Sequence, residues 1–172
     1  MARNASLAGA IHDLQARLGS IRIAVTAVAG LDLDAQTRNE MLTSASDESV
    51  RASAELAGVS ALATCLLDTS SAEDCDLVAA TQAAADTARL AGLDIVVESS
   101  SSARVVARRE RLAVVLPALL RIAAGAGKAV HVQVTPDELR VRGADEEPLP
   151  PIATYLVECL DAPLTITFGQ LA

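Results

Sequence analysis

The chain has almost no aromatic side chains: one Tyr, one Phe and no Trp in 172 residues. With 51% hydrophobic residues all the same, its core must be built from Ala, Val, Leu and Ile. Positive charge is also short. Fourteen Lys and Arg stand against 22 Asp and Glu, a net charge of −8, which excludes the concentrated basic face that a nucleic-acid backbone requires. The three cysteines, Cys65, Cys75 and Cys159, are odd in number, far apart and without close His or Cys companions, so they read as small buried thiols and not as metal ligands. Long apolar runs are missing. Uncharged windows such as 23–30 and 112–120 fall well short of the ~20 apolar residues of a bilayer span. The N-terminus enters an amphipathic pattern and not the unbroken apolar stretch of a signal peptide. No membrane association is expected, and the expected location is cytoplasmic.

What is present first is a periodicity. Leu7, Ile11, Leu14, Leu18, Ile21, Val25 and Val28 recur in alternating steps of four and three, the seam of a coiled-coil helix. Gly30 follows the last seam position, 31–34 reads as a short connection, and Asp34 is placed to cap a second helix running to about Leu67. That helix is weakly apolar at Met41, Leu42 and Ala45, then firm at Leu56, Val59, Ala63 and Leu66. Two long helices on a short turn make an antiparallel hairpin. One continuous seam cannot be covered well within one hairpin, so a homodimeric four-helix bundle is expected.

The polar, aperiodic segment 68–76 reads as a boundary between a hairpin unit, 1–68, and a second unit, 75–172. The second unit alternates in type. Helices are expected over 77–90, 109–124 and 152–160, with strands over 94–98, 104–107, 129–135, 138–142 and 164–168. The serine run 99–102 reads as a hairpin loop, and Pro136-Asp137 as another. The fold class is therefore α+β: a helical hairpin followed by a small α/β sandwich with helices on one face of a mixed sheet.

One residue carries chemical promise. His12 lies between seam positions Ile11 and Leu14, beside the seam and facing solvent. The positions one or two turns away on its face are Ala8, Gly9, Gln15, Ala16 and Gly19, so the imidazole stands above a nearly bare helix surface that a partner could approach closely. Two glycines in a helix cost roughly 1 kcal/mol each relative to Ala, a cost that close backbone approach would explain. A neutral imidazole is a good nucleophile when one nitrogen is held protonated. Asp13 is placed to accept from Nδ1 and leave Nε2 free. Arg17, further along, could attract an acidic partner or a phosphate, or simply be a solvated flank of the seam. His131, on a strand, is given no role.

The segment Ile11-His12-Asp13-Leu14-Gln15-Ala16-Arg17-Leu18-Gly19-Ser20-Ile21 resembles the H-box of bacterial sensor histidine kinases. The order of elements in the second unit resembles their ATP-binding domain. Arg111-Leu112, Val115-Leu116, Leu119-Leu120 and Ala123 are similar to the apolar frame of the helix that carries the N-box. The resemblance spans essentially the whole chain, through short motifs.

The departures are instructive. Where the kinase pattern has the Asn that binds the metal of Mg-ATP, this chain has Ile122, with Ala118 at the earlier Asn, and neither can ligate magnesium. In place of the Asp and Gly-rich loop stand Arg142-Gly143-Ala144-Asp145-Glu146-Glu147-Pro148, whose three carboxylates would repel a triphosphate. The lid is missing too. The resemblance thus implies a histidine phosphotransferase that relays a phosphoryl group between response-regulator receiver domains without ATP-dependent autophosphorylation. In that family the H-box His, here His12, is the phosphoryl acceptor. The degenerate domain helps dock the receiver, and magnesium is supplied by the receiver, so no cofactor is expected on this chain. Ala16, at a position often Thr or Asn in bifunctional kinases, argues against a phosphatase role. The expected docking surface is Ala8, Gln15, Ala16, Arg17 and Gly19. The alternative is a pseudokinase-like binding module that sequesters a receiver or regulates a true kinase without accepting phosphate.

Overall fold

The computed structural model describes residues 2–99, 102–127, 129–143 and 150–170, with the side chains of the first helix from Ala8 onward. It begins with two long helices, α1 (Ala2–Gly30) and α2 (Ala35–Leu67), joined by four residues. Asp34 caps α2 as its position predicts: its carboxylate accepts from the Thr37 backbone N–H at 2.9 Å and from the Thr37 hydroxyl at 2.6 Å. These hydrogen bonds, the hydroxyl's first, hold the Asp34 pKa below its ordinary value. The helices pack antiparallel along their length, with Arg17 of α1 beside Glu48 and Glu55 of α2.

After the hairpin come β1 (Glu73–Asp76), α3 (Leu77–Leu90), β2 (Asp94–Ser99), β3 (Arg104–Ala107), α4 (Arg109–Ala124), β4 (Ala129–Val134), β5 (Glu138–Gly143), α5 (Pro151–Leu160) and β6 (Thr165–Gln170). The main sheet has the order β2-β4-β5-β6, with parallel, antiparallel and parallel pairs in turn. It is mixed, as the sequence suggests. Val130, Val132, Val134, Leu139 and Val141 turn inward toward the helices, while their alternate neighbours are only partly covered or exposed, the half-buried pattern of a sheet with helices on one face. Gly143 is required by close approach. A Cβ there would lie 1.7 Å from the carbonyl oxygen of Ala123.

Three expectations are corrected. First, 68–76 is not a bare connection: it contains β1, which pairs antiparallel with β3 from Glu73↔Ala107 to Asp76↔Arg104. The segment Glu-Asp-Cys-Asp has no apolar alternation, since only Cys75 turns inward, so its strand character comes from its partner. Second, β2 and β3 are not paired as the hairpin expected around 99–102 requires. The strands on either side, β2 and β3, belong to different sheets. Third, α2 is by length and composition apolar enough to cross a membrane, contrary to the reading that no segment is. Its alanines are spread over 33 residues among Ser, Thr and charged side chains, so no unbroken apolar run marks it. Much of its C-terminal half is buried, against α4 and α5. The acidic stretch 144–148 lies outside the described residues.

The units expected at 1–68 and 75–172 share one core. Ala54, Ala61, Leu62 and Cys65 of α2 join the same apolar cluster as Leu112, Leu116 and Leu119 of α4 and Ile152 and Leu156 of α5. Gly58 permits this contact. A Cβ there would stand 3.0 Å from Ile152 Cγ1 and 3.2 Å from Ile122 Cδ1. The three cysteines are buried free thiols. Burial first, then the adjoining Cys159 thiol, push the Cys65 pKa up to about 12, the condition of an inert structural cysteine.

Candidate functional site

His12 stands on the outer face of α1, and its side chain is 81% exposed. Asp13 Oδ1 lies 3.5 Å from His12 Nδ1. The carboxylate thus faces the nitrogen that the sequence assigns to it, at a distance longer than a formed hydrogen bond. Adjacent side chains diverge by about 100° around a helix, and the long contact reflects that divergence. The neighbouring carboxylate favours the tautomer with its hydrogen on Nδ1, which leaves the Nε2 lone pair free. Such a group can act as a nucleophile through Nε2, with nothing bulky on its own helix in the way.

The surroundings of His12 are as bare as the sequence implies. Ala8, Gly9, Gln15 and Ala16 are exposed and Gly19 is half-buried. A Cβ added at Gly9 or Gly19 would meet nothing within 4 Å. Among the described residues no contact requires glycine at either place. Ala10, two residues before the histidine, is buried in the common core, so the N-terminal part of α1 is anchored on one side while His12 is presented on another.

Arg17 is placed differently from the other members of the expected surface. It is not a solvated flank. Its Nε donates to Glu55 Oε1 and its Nη1 to Glu48 Oε2, both at 2.8 Å. Partial burial lowers its pKa, yet the two carboxylates outweigh that effect and raise it above the ordinary value. Glu55 is buried in the middle of α2; sequence reading missed it because a Glu on a helix is ordinarily a surface residue. Its position one turn from Arg51 and facing Arg17 gives the reason for a buried acid: it is ion-paired across the hairpin.

The two positions that the sequence resemblance would set against metal-binding residues are spent on packing. Ala118 and Ile122 are both buried apolar residues, with Ile122 directed at Gly58 of α2. Among the described residues no group of three or more His, Cys, Asp or Glu side chains is close enough to hold a metal ion. His131, on β4, lies 3.3 Å from Glu98 Oε1 through Nε2, on the outer side of the sheet.

No protein-family model matches the chain, and no curated protein matches it. The functional reading rests on the site itself.

Proposed function

We propose that this protein is a histidine phosphotransferase that passes a phosphoryl group between receiver domains of response regulators, with His12 as the carrier. The observation that carries the reading is the exposed His12, with Asp13 at Nδ1, on a helix face that has no side chain larger than Gln within one turn. In the forward step Nε2 attacks the phosphorus of a receiver's aspartyl phosphate in line. The P–N bond forms as the P–O bond breaks, and the aspartate leaves as a carboxylate. Delivery to a second receiver reverses these events. Most of the catalysis in such a transfer comes from positioning and from charge stabilisation, and the magnesium would be the receiver's.

The dimeric bundle belongs to the same proposal. In the single chain the seam residues Ile11, Leu18 and Val25 are 41%, 53% and 50% exposed, and Leu42 and Leu56 of α2 are exposed as well. A second hairpin packed on this face would cover them, as a four-helix bundle does. The C-terminal half, with Ala118 and Ile122 buried in place of polar ligands, supports a role in docking and not in nucleotide chemistry.

The test is incubation of the purified protein with a panel of radiolabelled phospho-receivers, beside His12→Ala and a control with labelled ATP alone. Acid-labile label is expected on the wild type, none on His12→Ala, and none from ATP. Binding of receivers without label transfer, unchanged in His12→Ala, would replace the relay with a sequestering module.

A further inference from the structure

Arg121 occupies the last turn of α4 and is half-buried. Its Nε is removed from solvent and has no hydrogen-bond partner. A cation at the carbonyl end of a helix suits the helix dipole, which accounts for the charge. It does not account for a buried donor left without an acceptor, a condition that native structures rarely tolerate. Arg121 is also among the residues that line a cleft of about 320 Å³ between α2 and the ends of α3 and α4. Ser49 and Ser53, one turn apart on α2 and both exposed, form part of the opposite wall. Val50, Ala54 and Leu93 complete an apolar side. Among the described residues that line the cleft there is no carboxylate, in a chain whose net charge is −8.

We propose that this cleft binds a phosphate group, either the free ion or a phosphomonoester whose organic part lies against Val50, Ala54 and Leu93. The donors come from two walls: a guanidinium on α4 and two hydroxyls on α2. A tetrahedral anion has oxygens to accept from both, whereas a planar carboxylate is matched by the guanidinium alone. The cleft has room beyond the anion for a small organic body. A bound phosphate would bridge α2 to α4 and so stiffen the junction between the hairpin and the C-terminal half. Nothing in this depends on His12 carrying a phosphoryl group.

The experiment follows the Arg121 Nε–H resonance of the full-length ¹⁵N-labelled chain, assigned by its loss in Arg121→Lys. Inorganic phosphate and a nucleoside monophosphate are titrated separately, with acetate and chloride at matched ionic strength as controls. A saturable shift with phosphate is expected. Ser49→Ala/Ser53→Ala should weaken it about fivefold, and Arg121→Gln about tenfold or more, the scale of lost charge-assisted hydrogen bonds. Binding of the monophosphate about tenfold tighter than phosphate would place the anion on an organic carrier, and equal affinity would assign the free ion. An acetate response equal to that of phosphate would overturn the phosphate assignment. So would a response that chloride reproduces, or an affinity unchanged in the serine variant, whose exposed positions leave the fold intact.

Discussion

Arg111 Nε donates to Asp68 Oδ2 at 3.0 Å, with both side chains only 8% exposed. The same guanidinium donates through Nη1 to the Cys159 carbonyl at 2.7 Å, and Arg108 donates to the Asp68 carbonyl at 3.1 Å. One aspartate at the end of α2 therefore fastens the start of α4, and through Arg111 the end of α5. The hairpin is locked to the rest of the molecule at the point where the polar sequence suggests a break. A buried pair of this kind gives orientation more than net stability, because desolvation offsets much of the attraction.

Asp68 gives this lock a pH dependence. The Ser70 backbone N–H, then the Arg111 guanidinium, hold its pKa below the ordinary carboxylate value. A carboxyl group depressed in the folded state contributes stability that is fully present above its unfolded pKa, roughly 3.9, and is lost as the pH falls through the folded value. Asp68→Asn should lower Tm by several degrees at pH 7. Below about pH 4 its unfolding midpoint should fall less steeply than that of the wild type. Thermal unfolding by circular dichroism between pH 2.5 and 7 checks this. Parallel curves for the two proteins would show that Asp68 is not the titrating lock.

Most of the secondary structure was legible in the sequence because its signals are local. The seam from Leu7 to Val28 spells α1, Asp34 marks the start of α2, and Gly92 and Gly125 follow α3 and α4, each with a positive φ. The strands of the main sheet alternate cleanly around Val130, Val132 and Val134. Strand β1 was not legible, since its single inward residue, Cys75, acquires meaning only from Val105 and Ala107 across the pair. The packing of α2 on α4 was also hidden. It depends on Gly58 opposite Ile122 and Ile152, three residues between 30 and 94 positions apart in the chain. At the candidate site the exposed His12 and its bare surroundings could be read from the heptad. The partners of Arg17 could not, because they lie on the other helix.

Arg17 offers a separation between fold and docking. Removing it leaves the buried Glu55 carboxylate without its partner, a change that costs 3–5 kcal/mol when fully buried. Arg17 and Glu48 are about a fifth exposed, so water will offset part of that. Arg17→Ala should lose about 2 kcal/mol in urea unfolding. Arg22→Ala, on the exposed side of α1, should change stability by less than about 0.5 kcal/mol. Equal effects would mean that the Arg17 bracket contributes nothing beyond a surface charge.

The seam predicts an oligomeric state. Leu18 is 53% exposed in one chain, so Leu18→Glu should leave the hairpin and its core folded. In a bundle of two hairpins the same change buries two carboxylates where two leucines each contribute about 1.5–3 kcal/mol. The dimer dissociation constant should rise by at least about a hundredfold, as measured by sedimentation equilibrium, with an unchanged helical signal. A wild type that sediments as a monomer at high concentration would remove the bundle from the proposal.

The two glycines on the His12 face give the sharpest test of why that face is bare. A Cβ at Gly9 or Gly19 meets open space, and Ala is better than Gly within a helix by about 1 kcal/mol. Gly19→Ala should therefore raise stability by roughly 0.5–1 kcal/mol, since the residue lies well inside α1, and Gly9→Ala should gain less, nearer the end where helices fray. Among the described residues nothing fills the space that these methyl groups would take, so the space is open to another molecule. If that molecule is a receiver seated over His12, Gly19→Ala will fold more stably and yet accept label from a phospho-receiver more slowly, with the loss appearing in receiver affinity. Single-turnover transfer measured across receiver concentrations separates affinity from the chemical step. Greater stability with unaltered transfer would show that the bare surface is not the docking face, and the phosphotransfer proposal would then stand on His12 and Asp13 alone.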